Sequence, residues 1–339
     1  MIPRIAITVG DFNGIGPEVA LKASASRALS RDHRLVLVGP IEVFRHYSRT
    51  FKIAVPLEQV KDIPRSFGKS IPVIDVEEGQ SGDVTPGKPS TLSGLCAGRA
   101  IEHAARLCLD READAMVTAP ISKSMLNAAG FNFPGQTEML TSLSGAEKAV
   151  MMLISRTMRV GLVTIHIPLR DVPPSVTIEK IFETGAIIEF TLRRDFGIRK
   201  PSIAVLALNP HASEGGMIGN DDLSVVRPAV ELLRSQNMNV DGPFPADGFF
   251  AHWSDNQYDA VVAMYHDQGL IPLKMTARGY GVNYTAGLQI VRTSPDHGTA
   301  FDIAGKNIAD SSSMIEAITV AGRIARRRTR SIAKQRIPA

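Results

Sequence analysis

Short apolar runs that stop abruptly in polar residues recur along this 339-residue chain, with helix-like stretches between them. RIAITV (4–9), RLVLVG (34–39), KIAVP (52–56), IPVIDV (71–76) and ADAMVTAP (113–120) are of this kind. AVMMLIS, VGLVTIH, SIAVLALNP and DAVVAMYH continue the series, and their β-branched and aliphatic content reads as buried strand. Helices are expected from about Pro17, over 91–110, over 177–195, and near 222–237 and 312–328. Such alternation predicts an α/β fold with a largely parallel sheet covered on both faces. With 44% hydrophobic and 21% charged residues, the chain can bury the core of one large unit or of two lobes.

Three of the runs end at a histidine. His166 follows VGLVTI, His211 follows SIAVLALNP, and His266 follows DAVVAMY. Carboxyl ends of strands are where ligands bind in α/β folds. One such histidine is usually a satisfied core or loop residue. Three in equivalent positions favour a metal site with an open position for substrate.

Composition excludes several classes. No run approaches the ~18 apolar residues of a membrane span, and MIPRIAITVG enters a strand with no leader pattern. Cys96 and Cys108 fall on one expected helix, which suits neither a disulfide framework nor a cysteine-rich zinc cluster, so a cytoplasmic location is expected. The net charge of +4 is local: seven cationic residues, Arg323 to Arg336, lie in the last 17 positions. Without them the net charge is −3, which argues against a nucleic-acid partner and marks a basic tail.

Further motifs surround the strand ends. GDFNGIGPE (10–18) matches neither nucleotide-binding glycine fingerprint, so a phosphate loop and a tight turn both remain open. Glu18 is placed where a carboxylate suits the helix dipole. EEGQSGDVTPGKPST reads as a long surface loop with room for lid-like motion. FPGQTE places Gln136 and Thr137 before a helix starting near Glu138, with Thr137 as an anion donor or a plain N-cap. The glycine-rich surroundings of His211 suggest backbone approaching a ligand. Asp247 and Asp267 are candidate bases or orienting carboxylates, and Lys274, Asn283 and Arg292 offer donors for phosphate or carboxylate. His297 lies in a loop rich in Gly, His and Asp rather than at a strand end.

Taken in order, GDxxGIGPE, VTAPISK, FPGQTE, TIHIPLRDV, LNPHASEGG, MYHDQGLIPLK, GVNYTAGL and RTSPDHGTAFDIAGK resemble the 4-hydroxythreonine-4-phosphate dehydrogenase family of vitamin B6 biosynthesis, from about residue 4 to about residue 320. The resemblance implies the isocitrate/isopropylmalate-dehydrogenase-like fold, with two α/β lobes and an active site in the cleft between them. Expected boundaries are 1–125 plus 295–325 for the cofactor lobe, 126–294 for the metal and dimer lobe, and 326–339 for the tail. It implies one divalent metal on His166, His211 and His266, with ligands from both subunits of a homodimer. It further implies NAD or NADP at His297 and Asp302, and substrate contacts at Thr137, Lys274, Asn283 and Arg292. One position departs from the family pattern: G-H-T-E reads G-Q-T-E here, so Gln136 can donate a hydrogen bond but cannot become an imidazolium.

The activity implied is NAD(P)-dependent oxidation of a phosphorylated hydroxy-amino acid to a β-keto acid that decarboxylates. Asp247 or Asp267 would be the base, and Lys274 would hold an anionic group. Imidazole donors favour Zn2+, with Co2+ or Mg2+ as alternatives. Rival readings are a sister dehydrogenase of 4-phospho-threonate or a cyclic diol carboxylate, a metal-dependent phosphate-ester hydrolase or lyase, and a non-catalytic metabolite-binding protein.

Overall fold

The computed structural model describes residues 2–76, 84–255 and 257–335. The chain forms two compact units, one from 1–147 with 288–339 and the other from 148–287. The lid-like loop expected after residue 76 falls partly outside the described residues.

In the first unit the strands are β1 (Arg4–Thr8), β2 (Arg34–Val38), β3 (Leu57–Val60), β4 (Ile71–Ile74), β5 (Ala115–Val117) and β12 (Arg292–Pro295). They lie in the order β3-β4-β2-β1-β5-β12, and every pairing is parallel. In the second unit β6 (Val150–Ile154), β7 (Arg159–Leu162), β8 (Ser202–Leu206), β9 (Asn239–Phe244), β10 (Ala260–Ala263) and β11 (Val282–Ala286) lie in the order β11-β6-β7-β10-β8-β9. Only β6 runs against its neighbours. The expected alternation thus yields the largely parallel α/β architecture.

One expected strand is absent. Residues 52–56 form a turn and irregular chain, and the edge strand β3 begins after them. Lys52 takes a left-handed backbone (φ 54°) after the helix Ile41–Thr50, and Pro56 has no N–H to give a ladder. Thr137 is likewise not an N-cap: the helix Gln136–Leu143 starts a residue earlier, capped at Gly135. The last helix runs beyond expectation, Ser312–Gln335, and its arginines find partners in its own unit. Arg326 donates to the Asp32 carbonyl and Arg328 to that of Gln289.

GDFNGIGPE is a structural hub of the first unit. Its N–H groups are used within the fold: Asp11 donates to the Pro120 carbonyl, Gly14 to Asp11, and Ile15 to Thr299. Asn13 accepts from the Thr85 N–H and donates to the Lys88 carbonyl. Buried Glu18 accepts from Lys22 and from the Ala309 N–H, tying the segment before the last helix to the first helix. The motif forms a tight turn held by hydrogen bonds within the fold. Burial raises the Asp11 carboxyl pKa, against hydrogen bonds from Ser93 and the Asn13 N–H that lower it.

The second unit's core joins Val160, Leu162, Ala204, Leu206, Val261 and Ala263 of three adjacent strands to Leu270 and Leu273 of the following helix. In the first unit, Gly94 of the helix Thr91–Leu109 meets the helix Lys123–Ala128 so closely that a Cβ would lie 2.1 Å from the Met125 carbonyl oxygen. A backbone atom cannot swing aside. Gly94→Ala is expected to lower stability by about 1–3 kcal/mol in denaturant unfolding, and an unchanged midpoint would refute the close approach.

Candidate active site

The three histidine-bearing segments leave three adjacent parallel strands. β7 and β8 flank β10 and pair with it in parallel, so all three strands finish at one edge of the sheet. Neighbouring strands lie about 4.8 Å apart, which gathers the three histidine-bearing segments at that edge. Two side chains fasten the strand ends together. The Thr164 hydroxyl donates to the Met264 carbonyl at 2.7 Å, joining the end of β7 to that of β10. Gln268 accepts from the Met264 N–H at 2.7 Å and donates to the Ala207 carbonyl at 2.6 Å, joining β10 to β8.

His166 and His266 come together. Their ring centroids are 5.6 Å apart with planes tilted by 44°. Two imidazoles on one tetrahedral ion, each about 2.1 Å from it, hold their centroids roughly 5 Å apart. His266 opens the helix His266–Ala277, and its Nδ1 lies 2.7 Å from Asp267 Oδ1. In the neutral ring that bond places the proton on Nδ1 and leaves Nε2 as the nitrogen able to ligate. The donor pair thus fits a divalent metal. His211 is exposed on a separate turn, and among the described residues no three His, Cys, Asp or Glu side chains cluster as a metal site.

The turn carrying His211 is left-handed throughout. His211, Ala212, Ser213 and Glu214 have φ between 41° and 68°, and Gly215 comes next at 68°. Each non-glycine residue there costs about 1 kcal/mol or more, so the surroundings must hold the turn in place. Sequence composition signalled only the glycines.

The other expected residues occupy varied settings. Asp247 is exposed in the first turn of the short helix Ala246–Ala251, after β9. Lys274 is exposed in the last turn of the helix that His266 opens. Asn283 sits on β11 with its side-chain oxygen buried and unbonded. Asp302 is exposed in a turn. His297 Nδ1 lies 3.1 Å from the Gly298 carbonyl, and its Nε2 is buried without a hydrogen-bond partner.

Arg292, Gln136 and Thr118 form a compact group in the first unit. Arg292 opens β12 and is buried, and its Nε and Nη2 donate to the Thr118 hydroxyl at 3.0 and 2.7 Å. Nη2 also donates to Gln136 Oε1 at 2.9 Å, while Gln136 Nε2 donates to the Ala119 carbonyl at 3.2 Å. Burial pushes the Arg292 pKa down to about 10, with the Glu138 charge acting against that shift. The guanidinium remains charged at neutral pH, a desolvated cation suited to an anionic ligand. Thr137 is partly buried in the same helix start, with its carbonyl accepting from the Thr141 hydroxyl. Thr118 and Gln268 were not anticipated. Gln268 lay within the MYHDQGL motif, but nothing in its spacing marks an amide that bonds another strand's end.

Polar side chains gathered at the carboxyl ends of parallel strands mark the candidate ligand site of an α/β protein. The family profile for pyridoxal phosphate biosynthetic protein PdxA matches residues 31–321. A 4-hydroxythreonine-4-phosphate dehydrogenase of Geobacter metallireducens is 45% identical over 326 residues, 96% of each chain. A putative D-threonate 4-phosphate dehydrogenase of Bradyrhizobium diazoefficiens is 42% identical, covering 95% of this chain and 96% of the relative. The crystal structure of the Klebsiella pneumoniae 4-hydroxythreonine-4-phosphate dehydrogenase matches with a TM-score of 0.84 at 37% identity, over 95% of this chain and 99% of that one. The chain belongs to the PdxA family of dehydrogenases.

Gln268 bridges two strand ends and is buried. Gln268→Leu leaves the Met264 N–H and the Ala207 carbonyl without partners, and is expected to lower stability by about 2–4 kcal/mol in chemical denaturation. A loss under about 1 kcal/mol would mean that water or another group replaces it.

Proposed function

We propose that this chain oxidises 4-hydroxythreonine 4-phosphate with NAD or NADP. The product is a β-keto acid that loses CO2 to give 3-amino-1-hydroxyacetone 1-phosphate, in the cytoplasmic synthesis of pyridoxal phosphate. The observation that carries the reading is the facing His166–His266 pair, on a chain 45% identical to a relative of that name.

His166 and His266 would hold one divalent metal, with His211 completing the set when two copies of the chain pair. Imidazole donors suit Zn2+ or Co2+ better than Mg2+. When bound, the metal supplies Lewis acidity toward the substrate hydroxyl and the nicotinamide supplies the hydride acceptor. Asp267 is engaged with His266 and fixes its tautomer, which leaves Asp247 as the base that takes the hydroxyl proton. Lys274, Thr137 and Arg292 bind the phosphate and carboxylate, and the unbonded Asn283 oxygen accepts from the substrate ammonium. Gln136 holds the Arg292 guanidinium. His297 and Asp302 contact the nucleotide.

Pairing into a homodimer is supported by the surface around the ligands. Ile167 and Leu169 beside His166, Met217 beyond His211, and Ile271 and Met275 on the helix of His266 are all exposed apolar side chains. Five such residues flanking polar ligands suit cover by a second copy.

The test is NAD(P)H formation from 4-hydroxythreonine 4-phosphate, with D-threonate 4-phosphate run in parallel. The expected result is turnover of the first compound, abolished by chelation and restored by Zn2+ or Co2+, in a preparation that sediments at twice 36.6 kDa. Turnover of only the threonate phosphate would transfer the reading to the sister reaction. Product release without nucleotide would replace the dehydrogenase reading with a hydrolase or lyase. His297→Ala is expected to raise the nucleotide KM about tenfold, the loss of one hydrogen bond, with the substrate KM unchanged.

A further inference from the structure

We propose that Asp222 is the positioning residue of His211, holding the left-handed turn that presents this imidazole. The inference rests on the reading of His211 as a metal ligand. It concerns a residue outside the ligand set, on the helical segment that follows the His211 turn.

The carboxylate of Asp222 is buried and accepts three hydrogen bonds, all from the segment around His211. Oδ1 accepts from the Leu208 N–H at 2.6 Å, and Oδ2 accepts from the Asn209 N–H at 2.9 Å and from the Ser213 hydroxyl at 2.7 Å. Two of these bonds lie before His211 and one lies after it, so the carboxylate spans the turn. The Asn209 side chain adds a second brace, donating to Ser213 Oγ at 3.3 Å and to Asp221 Oδ2 at 3.1 Å.

Asp222 stands at the start of the helical segment that continues as the helix Arg227–Ser235. A carboxylate at such a start ordinarily stabilises its own helix's N–H groups. Here both oxygens turn back to the loop. Bonds to Leu208 and Asn209 alone would suffice to tie a strand end to a helix. The bond to Ser213 has a different effect, because it lies beyond His211 and closes the turn. Ser213 itself has φ 68°, a conformation a serine adopts only when its surroundings impose it. His211, Ala212 and Glu214 share this region, and none of their side chains is buried to hold them there. Hydrogen bonding to one buried carboxylate supplies what packing does not. With the turn held, the His211 backbone is ordered before any ion arrives, which lowers the ordering a ligand must impose.

The test measures Co2+ binding to the metal-stripped full-length protein by visible absorbance and calorimetry, together with amide hydrogen exchange. Asp222→Asn keeps the shape but places an N–H2 where donors already point. The expected result is a Co2+ Kd raised at least tenfold, with faster exchange confined to 208–219. Ser213→Ala removes one of the three bonds and should raise the Kd at least threefold; it carries the test alone if Asp222→Asn does not fold. Faster exchange with a Kd within twofold of the parent would overturn the proposal, since a merely structural role loosens the segment without weakening the ion. His211→Ala separates the two readings. If it binds Co2+ like the parent, His211 is no ligand and both readings fail together; if it weakens binding while Asp222→Asn does not, Asp222 alone is refuted.

Discussion

Ending three parallel strands at one place leaves a row of backbone donors and acceptors that must find partners, and the second unit is organised around meeting that demand. Parallel ladders stop without a hairpin to close them. The Met264 N–H and carbonyl and the Ala207 carbonyl lie just beyond β10 and β8, and the side chains of Gln268 and Thr164 satisfy them. These same bonds fix the spacing of the chain segments that carry His166, His211 and His266. Backbone satisfaction and ligand placement are therefore one piece of construction. The core beneath, built from small and β-branched residues of β7, β8 and β10, keeps the strands in register.

A second constraint is the accommodation of locally unfavourable states. The left-handed run at His211 and the buried guanidinium of Arg292 are each unfavourable in isolation. Each is held by neighbouring polar groups: the Asp222 carboxylate for the turn, the Thr118 hydroxyl and the Gln136 amide for the cation. Gln136 is instructive because both ends of its amide are engaged inside the protein. A neutral amide at that position keeps its role across pH, which an imidazole would not.

In the first unit the same economy of hydrogen bonding explains GDFNGIGPE. The N–H groups of Asp11, Gly14 and Ile15 are donated to carbonyls of the fold, and Glu18 joins the first helix to the segment ahead of the last. A glycine-rich strand-to-helix turn thus serves cohesion.

Much of the architecture was legible along the chain. The apolar runs, their lengths and their polar ends determined most of the strands and the three strand-end histidines, because burial of a parallel strand on both faces requires an unbroken apolar run. The run at 52–56 misled, since a left-handed Lys52 and the missing N–H of Pro56 are backbone matters that hydrophobicity does not register. Strand order was not legible either: that β10 lies between β7 and β8 depends on pairing between segments far apart in the chain. The sequence by itself determined which side chains stand at strand ends and what chemistry they bring. Only the tertiary structure decided that His166 faces His266 and that Gln268 joins two strands, because contacts between distant segments form only once the sheet has brought those segments together. The bonds of Asp222 to the His211 loop are local, but they depend on a left-handed backbone that composition does not register.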